Sequence, residues 1–283
     1  GGMGRRGSNG ITTNTSIGLN YNDQINENLK IGADYRLNHS YNKNENYTRK
    51  ENLNPNNIFT TTSNTKSNSE TYGHNFGSSL EWTKKNTKIY FNPTFNTSTN
   101  TNSSIGDSES IDENGVLKND TKSDIRSNGD TNTFGNLLSI NQKLKNNSYV
   151  DFSSDISVGQ TTNNQREIST ATFYDGSKTD RNRNVNSKNI SKNNSYNFEL
   201  KYTLPITDSI KIAVGSSYNI TDSETNNSSL NYNEATGEFD NINTDLSRLF
   251  TTTQNKLNPY AQFLLNKSKL SASVRLGTNV YNQ

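Results

Sequence analysis

Apolar residues recur at every second position in ten separate stretches of the chain. The first five are Ile17, Leu19, Tyr21; Leu29, Ile31, Ala33, Tyr35, Leu37; His74, Phe76, Ser78, Leu80, Trp82; Ile89, Phe91, Pro93, Phe95; and Leu138, Ile140, Gln142, Leu144. The other five are Val150, Phe152, Ser154, Ile156, Val158; Tyr196, Phe198, Leu200, Tyr202, Leu204; Ile210, Ile212, Val214, Ser216, Tyr218, Ile220; Leu257, Pro259, Ala261, Phe263, Leu265; and Leu270, Ala272, Val274, Leu276, Thr278, Val280. Period two places one set of side chains on one face of a strand, so the pattern predicts ten strands. No window of similar length carries the i, i+3, i+4, i+7 spacing of an amphipathic helix.

The strands fall into pairs joined by short polar turns, centred near Gln24 and Ile25, Lys85, Lys145, Thr207 and Asp208, and Lys267. Successive centres are about 60 residues apart, the mark of a repeated supersecondary unit. Each unit is one strand up, a long polar excursion and one strand down. The excursions cover residues 38–70, 96–133, 160–194 and 221–254, with turn signals at Asn54-Pro55, Asn114-Gly115 and Thr236-Gly237. Pro93 and Pro259 sit inside expected strands, where each removes a ladder donor.

Composition narrows the class. Only 27% of the 283 residues are hydrophobic, there is no cysteine, and Asn occurs 51 times. A chain this polar lacks the apolar mass of a large-core enzyme, and without cysteine it holds neither disulfides nor thiolate metal sites. No apolar run is long enough for a transmembrane helix. The 29 basic and 27 acidic residues are interspersed, which argues against nucleic acid as a partner. An all-β chain with its few apolar residues on one face fits. Short turns at one end and long polar hairpins at the other are the asymmetry of an outer-membrane barrel. A strand tilted about 45° crosses hydrocarbon in roughly 9–11 residues, close to the length of the alternating segments. Polar or tiny residues between the apolar ones, such as Lys30, Gly32, Asp34 and Arg36, suit a wet lumen. Tyr21, Trp82, Tyr90, Tyr149 and Tyr202 lie beside the short turns, where an interfacial girdle is expected.

Two motifs carry a resemblance. The opening Gly1-Gly2-Met3-Gly4-Arg5-Arg6-Gly7-Ser8-Asn9-Gly10-Ile11, followed by Ser16-Ile17-Gly18-Leu19-Asn20-Tyr21, resembles a stretch of the large outer-membrane β-barrel family of Bacteroidetes, whose members are similar to TonB-dependent receptors. The stretch Tyr232-Asn233-Glu234-Ala235-Thr236-Gly237-Glu238-Phe239 resembles a recurring turn of the same proteins. The resemblance implies a parent of about 22 strands with an N-terminal regulatory-like or plug region, of which residues 1–283 are a partial barrel domain. It implies uptake of a small nutrient ligand, outer-membrane lipid and lipopolysaccharide as surroundings, and the TonB complex as a partner acting through the plug.

Other motifs read more plainly. Gly2-Met3-Gly4-Arg5-Arg6-Gly7 matches the dinucleotide fingerprint as a string, but a strand rather than a helix follows it, so nothing holds a pyrophosphate. His39 and His74, the two histidines, could meet Glu45 or Glu70, yet two histidines fall short of a zinc ligand set, and a surface or lumen role is expected. Asp107, Glu109, Asp112, Glu113 and Asp120 form an acidic hairpin tip without the ligand order of an EF-hand loop. Arg166, Lys178, Arg181, Arg183 and Lys188 form a basic stretch that reads as solvated charge, with lipopolysaccharide phosphates or an anionic ligand as a possible contact. No nucleophile elbow or pocketed carboxylate suggests an enzyme, and no cofactor is expected.

The expectation is therefore an all-β antiparallel meander of about ten strands, part of a transmembrane outer-membrane β-barrel, with short periplasmic turns and long extracellular hairpins. Its function is that of a receptor or transporter segment in the cell outer membrane. The rival is a secreted β-rich adhesin or binding module, whose apolar face would line a shared dry core. The barrel reading puts Ile212 and Val214 toward lipid, with Lys211 and Ala213 toward the lumen. It also expects ten strands to leave residues 12–21 and 270–281 as open edges.

Overall fold

The computed structural model describes residues 5–54, 57–174, 176, 178–268 and 270–282. Gly1 to Gly4 of the opening motif, Pro55 of the first long turn and Gln283 lie outside the described residues.

The regular elements described are all strands, in one antiparallel sheet. In chain order they are β1 (Arg5–Asn26), β2 (Leu29–Asn54), β3 (Asn57–Lys84), β4 (Thr87–Asp112), β5 (Leu117–Lys143), β6 (Tyr149–Phe173), β7 (Arg181–Pro205), β8 (Ile210–Asn233), β9 (Glu238–Ile242), β10 (Arg248–Lys267), β11 (Leu270–Gly277) and β12 (Val280–Asn282). Each neighbour in the path β1-β2-β3-β4-β5-β6-β7-β8-β10-β11 is hydrogen-bonded to the next, a plain meander. Those ten strands contain the ten alternating segments. Two short strands are additions: β9 pairs with β8 inside the fourth excursion, and β12 continues the last segment against β10 after a break.

Strand length departs from the sequence pattern. β2 to β8 hold 24 to 28 residues each, so β3 is roughly 90 Å long at about 3.3 Å per residue. The polar excursions are continuous sheet up to their tips. Hydroxyl pairs couple neighbouring strands there: Thr61 with Ser110 at 2.9 Å, Ser108 with Thr121 at 2.7 Å, Thr131 with Thr161 at 3.1 Å and Ser187 with Ser229 at 2.7 Å. Such cross-strand pairs contribute about 0.2–1 kcal/mol each, which is how a sheet persists with little apolar burial.

The short turns fall at Lys85 and Asn86, at residues 144–148, at residues 206–209 and at Ser268 as expected, but the first lies at Glu27 and Asn28. Gln24 and Ile25 remain in β1, where a register shift between Gln24 and Asn26 absorbs the extra residue. Both prolines are accommodated. The β3–β4 ladder skips Ser78 and Ser79 opposite Pro93, and the Asn92 side-chain amide donates to the Ser78 carbonyl at 2.7 Å, replacing the missing donor. Pro259 keeps its place in the ladder with β8, and its carbonyl accepts from Thr278 N–H at 3.2 Å. Its nitrogen therefore points at the break between β11 and β12, where no ladder bond is lost.

The sheet is open. Among the described residues β1 pairs only with β2, and β11 only with β10.

Candidate functional site

Pairing register gathers the alternating residues into one band. Leu29, Trp82, Ile89, Ile140, Phe152 and Leu200 stand opposite one another across six strands. Higher up, Tyr35, Phe76, Phe95, Phe134 and Val158 do the same, and the band runs on through Tyr202, Val214, Ala261 and Leu276. Its members are open to the outside: Phe76 is 49% exposed, Leu200 55% and Leu276 74%. A single layer leaves this face uncovered by any other described part of the chain, and such a continuous apolar surface marks a partner or a membrane. The tallest stretch, Ile210 to Ile220, runs roughly 33 Å along the strand at about 3.3 Å per residue, which would correspond to a height of about 25 Å at the tilt of about 40° that strands of a closed barrel take.

Rings mark both margins of the band. At the short-turn end Tyr21, Trp82 and Tyr202 share its face. Tyr90 and Tyr149 do not: Tyr90 pairs with Glu81 and Ser139, Tyr149 with Lys143 and Thr203, so both belong to the opposite face. That corrects the girdle read from sequence proximity, because each is one residue out of phase with its own strand's apolar set. At the other margin the two histidines join the tyrosines. The Tyr35 hydroxyl and His74 Nδ1 are 2.8 Å apart, and the His39 ring stacks on Tyr72 with centroids 4.3 Å apart. Glu70 accepts from Tyr72 at 2.9 Å and meets His39 Nε2 at 2.9 Å. The hydrogen bonds from His39, and then from Tyr72, hold the Glu70 carboxyl below its ordinary range. Glu45, the other acid expected near a histidine, pairs with Lys66 at 3.2 Å instead. Rings with polar tips at an apolar margin present an apolar body to one side and a hydrogen-bonding tip to the other.

The opposite face at the same height carries charge. Lys30 lies 3.9 Å from Glu81 and Lys201 3.1 Å from Asp151, which also accepts from Asn141. Tyr260 lies across Gly215: a Cβ there would sit 2.7 Å from the ring and 2.9 Å from the Leu200 carbonyl, so only glycine admits it. The Tyr260 hydroxyl donates to Glu199 at 2.6 Å, and the Arg275 guanidinium lies 3.5 Å from its ring centre. Ala213 on this face is 1% exposed, whereas Val214 on the band is 49% exposed.

The remaining candidates are dispersed. Asp112 caps its own turn, accepting from Asn114 N–H at 2.9 Å and Val116 N–H at 2.8 Å, and Asp120 receives the Tyr174 hydroxyl at 3.4 Å. Among the described residues no group of three or more His, Cys, Asp or Glu is placed to hold a metal ion. The basic stretch is divided: Arg166 faces Arg126 on the band side, Arg183 pairs with Glu167 at 3.2 Å on the other, and Lys178 lies over Phe173 at a hairpin tip. No family model and no curated protein matches the chain.

Proposed function

We propose that this sheet is the wall of an outer-membrane β-barrel, a TonB-dependent-receptor-like segment that takes up a small nutrient across the cell outer membrane. The observation that carries the reading is the uncovered apolar band, continuous from β1 to β11, of hydrocarbon height and edged by rings. The two motifs resembling Bacteroidetes outer-membrane barrels point the same way. A β-rich adhesin would cover that band with a second layer, and the described residues supply none. Lipid then meets the band, and lipopolysaccharide meets the charges above it, Lys43, Arg126, Arg166 and Lys188. The opposite face is the lumen wall, and the long hairpins are extracellular.

Sidedness tests this. The chain has no cysteine, so Asn114→Cys and Asn86→Cys each report alone. In intact cells a membrane-impermeant maleimide should label the first and spare the second. Equal labelling of both refutes the topology.

A further inference from the structure

Near the hairpin tips two neighbouring strands separate. β7 pairs with β6 from Arg181 to Thr203. On its other side the ladder with β8 stops at Val185 opposite Asn231. β8 runs on through Tyr232 and Asn233, but there it pairs with Phe239 and Glu238 of β9. The segment from Arg181 to Asn184 is thus a strand edge with no described strand beside it. A cavity of about 580 Å³ opens at this edge, lined by Asn182, Arg183 and Asn184 on one side and by Asn231, Tyr232 and Asn243 on the other.

The last bonds of each ladder fix which main-chain groups face the gap. Ser229 N–H donates to Ser247 Oγ at 3.0 Å and the Ser229 carbonyl accepts from Asn243 N–H at 2.9 Å, both on the side away from β7. Residues along a strand alternate in the neighbour they bond, so the even-numbered residues of β8 bond β7. At the β7–β8 turn Ile206 N–H donates to the Ile210 carbonyl at 2.9 Å, so the even-numbered residues of β7 face β8 in return. Beyond Val185 the Asn184 N–H, and the N–H and carbonyl of Asn182, point into the gap without a described ladder partner. Such an edge is a template for another strand. Side chains alternate around it. Asn182 and Asn184 share a face with Tyr232 and Ile168, which also lines the cavity. Arg181 and Arg183 lie on the other face. Arg183 pairs with Glu167 at 3.2 Å yet stays 49% exposed, and Arg181 has no ion pair among the described residues. One acid therefore faces two guanidinium groups.

We infer that this gap takes an extended peptide with acidic side chains at alternate positions, added antiparallel to β7 where β8 leaves it. In that pairing the peptide residues opposite Asn182 and Asn184 exchange main-chain bonds with them and turn their side chains toward Tyr232 and Ile168. The residues opposite Arg181 and Arg183 turn theirs toward the guanidinium groups. Those arginines are two positions apart, so acids two positions apart meet both, in charge-assisted pairs. A strand of four residues fills roughly 600 Å³ at about 3.3 Å per residue, about 4.8 Å between strands and about 10 Å of sheet thickness, which is close to the cavity. Main-chain bonds supply affinity and the alternate side chains supply specificity. The gap lies beyond the apolar band, so the inference stands whichever face of the band meets lipid.

The test is fluorescence polarisation of a labelled hexapeptide of alternating Val and Asp, titrated with the full chain in detergent. Polarisation should rise and saturate. N-methylation of the valine amides, which bond the β7 edge, should abolish the rise, whereas N-methylation of the aspartate amides, which point away from β7, should leave it. A peptide of the same composition with Val and Asp in separate blocks should not bind. Asn184→Pro removes one N–H from the gap and no ladder bond to β6, and should weaken binding roughly tenfold. Arg181→Glu, at the end of the strand, serves if that variant loses its β signal by circular dichroism, and should weaken binding as well. No saturable binding, block and alternating peptides bound alike, or equal effects of the two methylations overturns the inference. The sidedness experiment stands or falls separately, since it reads topology and not peptide binding.

Discussion

Replacing Val214 by Arg separates a lipid-facing band from a water-facing one. Val214 stands between Tyr202 and Ala261 in the ladder and is about half exposed. It is four residues from Ile210 at the short-turn margin, roughly 10 Å along the membrane normal at about 3.3 Å per residue and a 40° tilt, close to the middle of the band. An arginine at a bilayer midplane on a barrel's lipid face costs about 2–4 kcal/mol, and about 0–1 kcal/mol near either interface. In water, the same substitution at a half-exposed strand position stays within about 0.5 kcal/mol. Ser217→Arg is the control: it lies on the other face opposite Glu199, where an ion pair offsets part of any loss. Ala213→Arg is not a control, because that alanine is buried and overpacking there costs about 1–3 kcal/mol on any reading. The assay is urea unfolding in lipid vesicles, followed by the fluorescence of Trp82. Arginine at Ile210, Val214 and Ile220 in turn should give a low–high–low profile. A flat profile, or a Ser217 variant as costly as the Val214 one, refutes the lipid-facing assignment.

Three further outcomes follow from local geometry. Gly215→Ala should push the Tyr260 ring off its seat and cost about 1–3 kcal/mol in urea unfolding, whereas Tyr260→Phe, which loses only the bond to Glu199, should cost about 1 kcal/mol. Asn92→Ala leaves the Ser78 carbonyl without its donor and should destabilise by about 1 kcal/mol, while Asn96→Ala, four residues on in the same strand, should be nearly neutral. Glu70 has its pKa lowered in the fold, so the ionised form is the one the fold favours. Its contribution is complete above the ordinary carboxylate range and fades as pH falls through the lowered value. The stability difference between the native chain and Glu70→Gln should be constant near neutrality and shrink in acid; a difference that grows in acid contradicts that pairing.

The ten strands were legible because apolar parity is strict where one face must be apolar, as from Ile210 to Ile220. Above Ile220 the strand continues through Thr221, Ser223 and Thr225, which carry no such contrast, so its full length was invisible to periodicity and emerged only from pairing. Parity was also the overlooked signal for Tyr90 and Tyr149: proximity to a turn suggested a girdle, but their odd–even position already put them opposite Ile89 and Val150. The histidines show the reverse case. His39 and His74 lie 35 positions apart, and only the β2–β3 register brings each beside a tyrosine at one margin. β9 had no apolar alternation of its own, and its pairing depends on the turn at Gly237, whose φ of 75° places it in the left-handed region.

The central claim is that one face of this sheet meets hydrocarbon and the other meets water. Single cysteines placed in turn along residues 210–220, omitting the buried Ala213 and Gly215 beneath the Tyr260 ring, spin-labelled and reconstituted in bilayers, test it directly through collision rates with oxygen, which concentrates in lipid, and with a water-soluble nickel chelate. The account predicts two alternations of period two in opposite phase, oxygen high at Ile212, Val214 and Tyr218 and nickel high at Lys211, Ser217 and Asn219. Alternations in the same phase, or nickel access at Val214 equal to that at Ser217, contradict it.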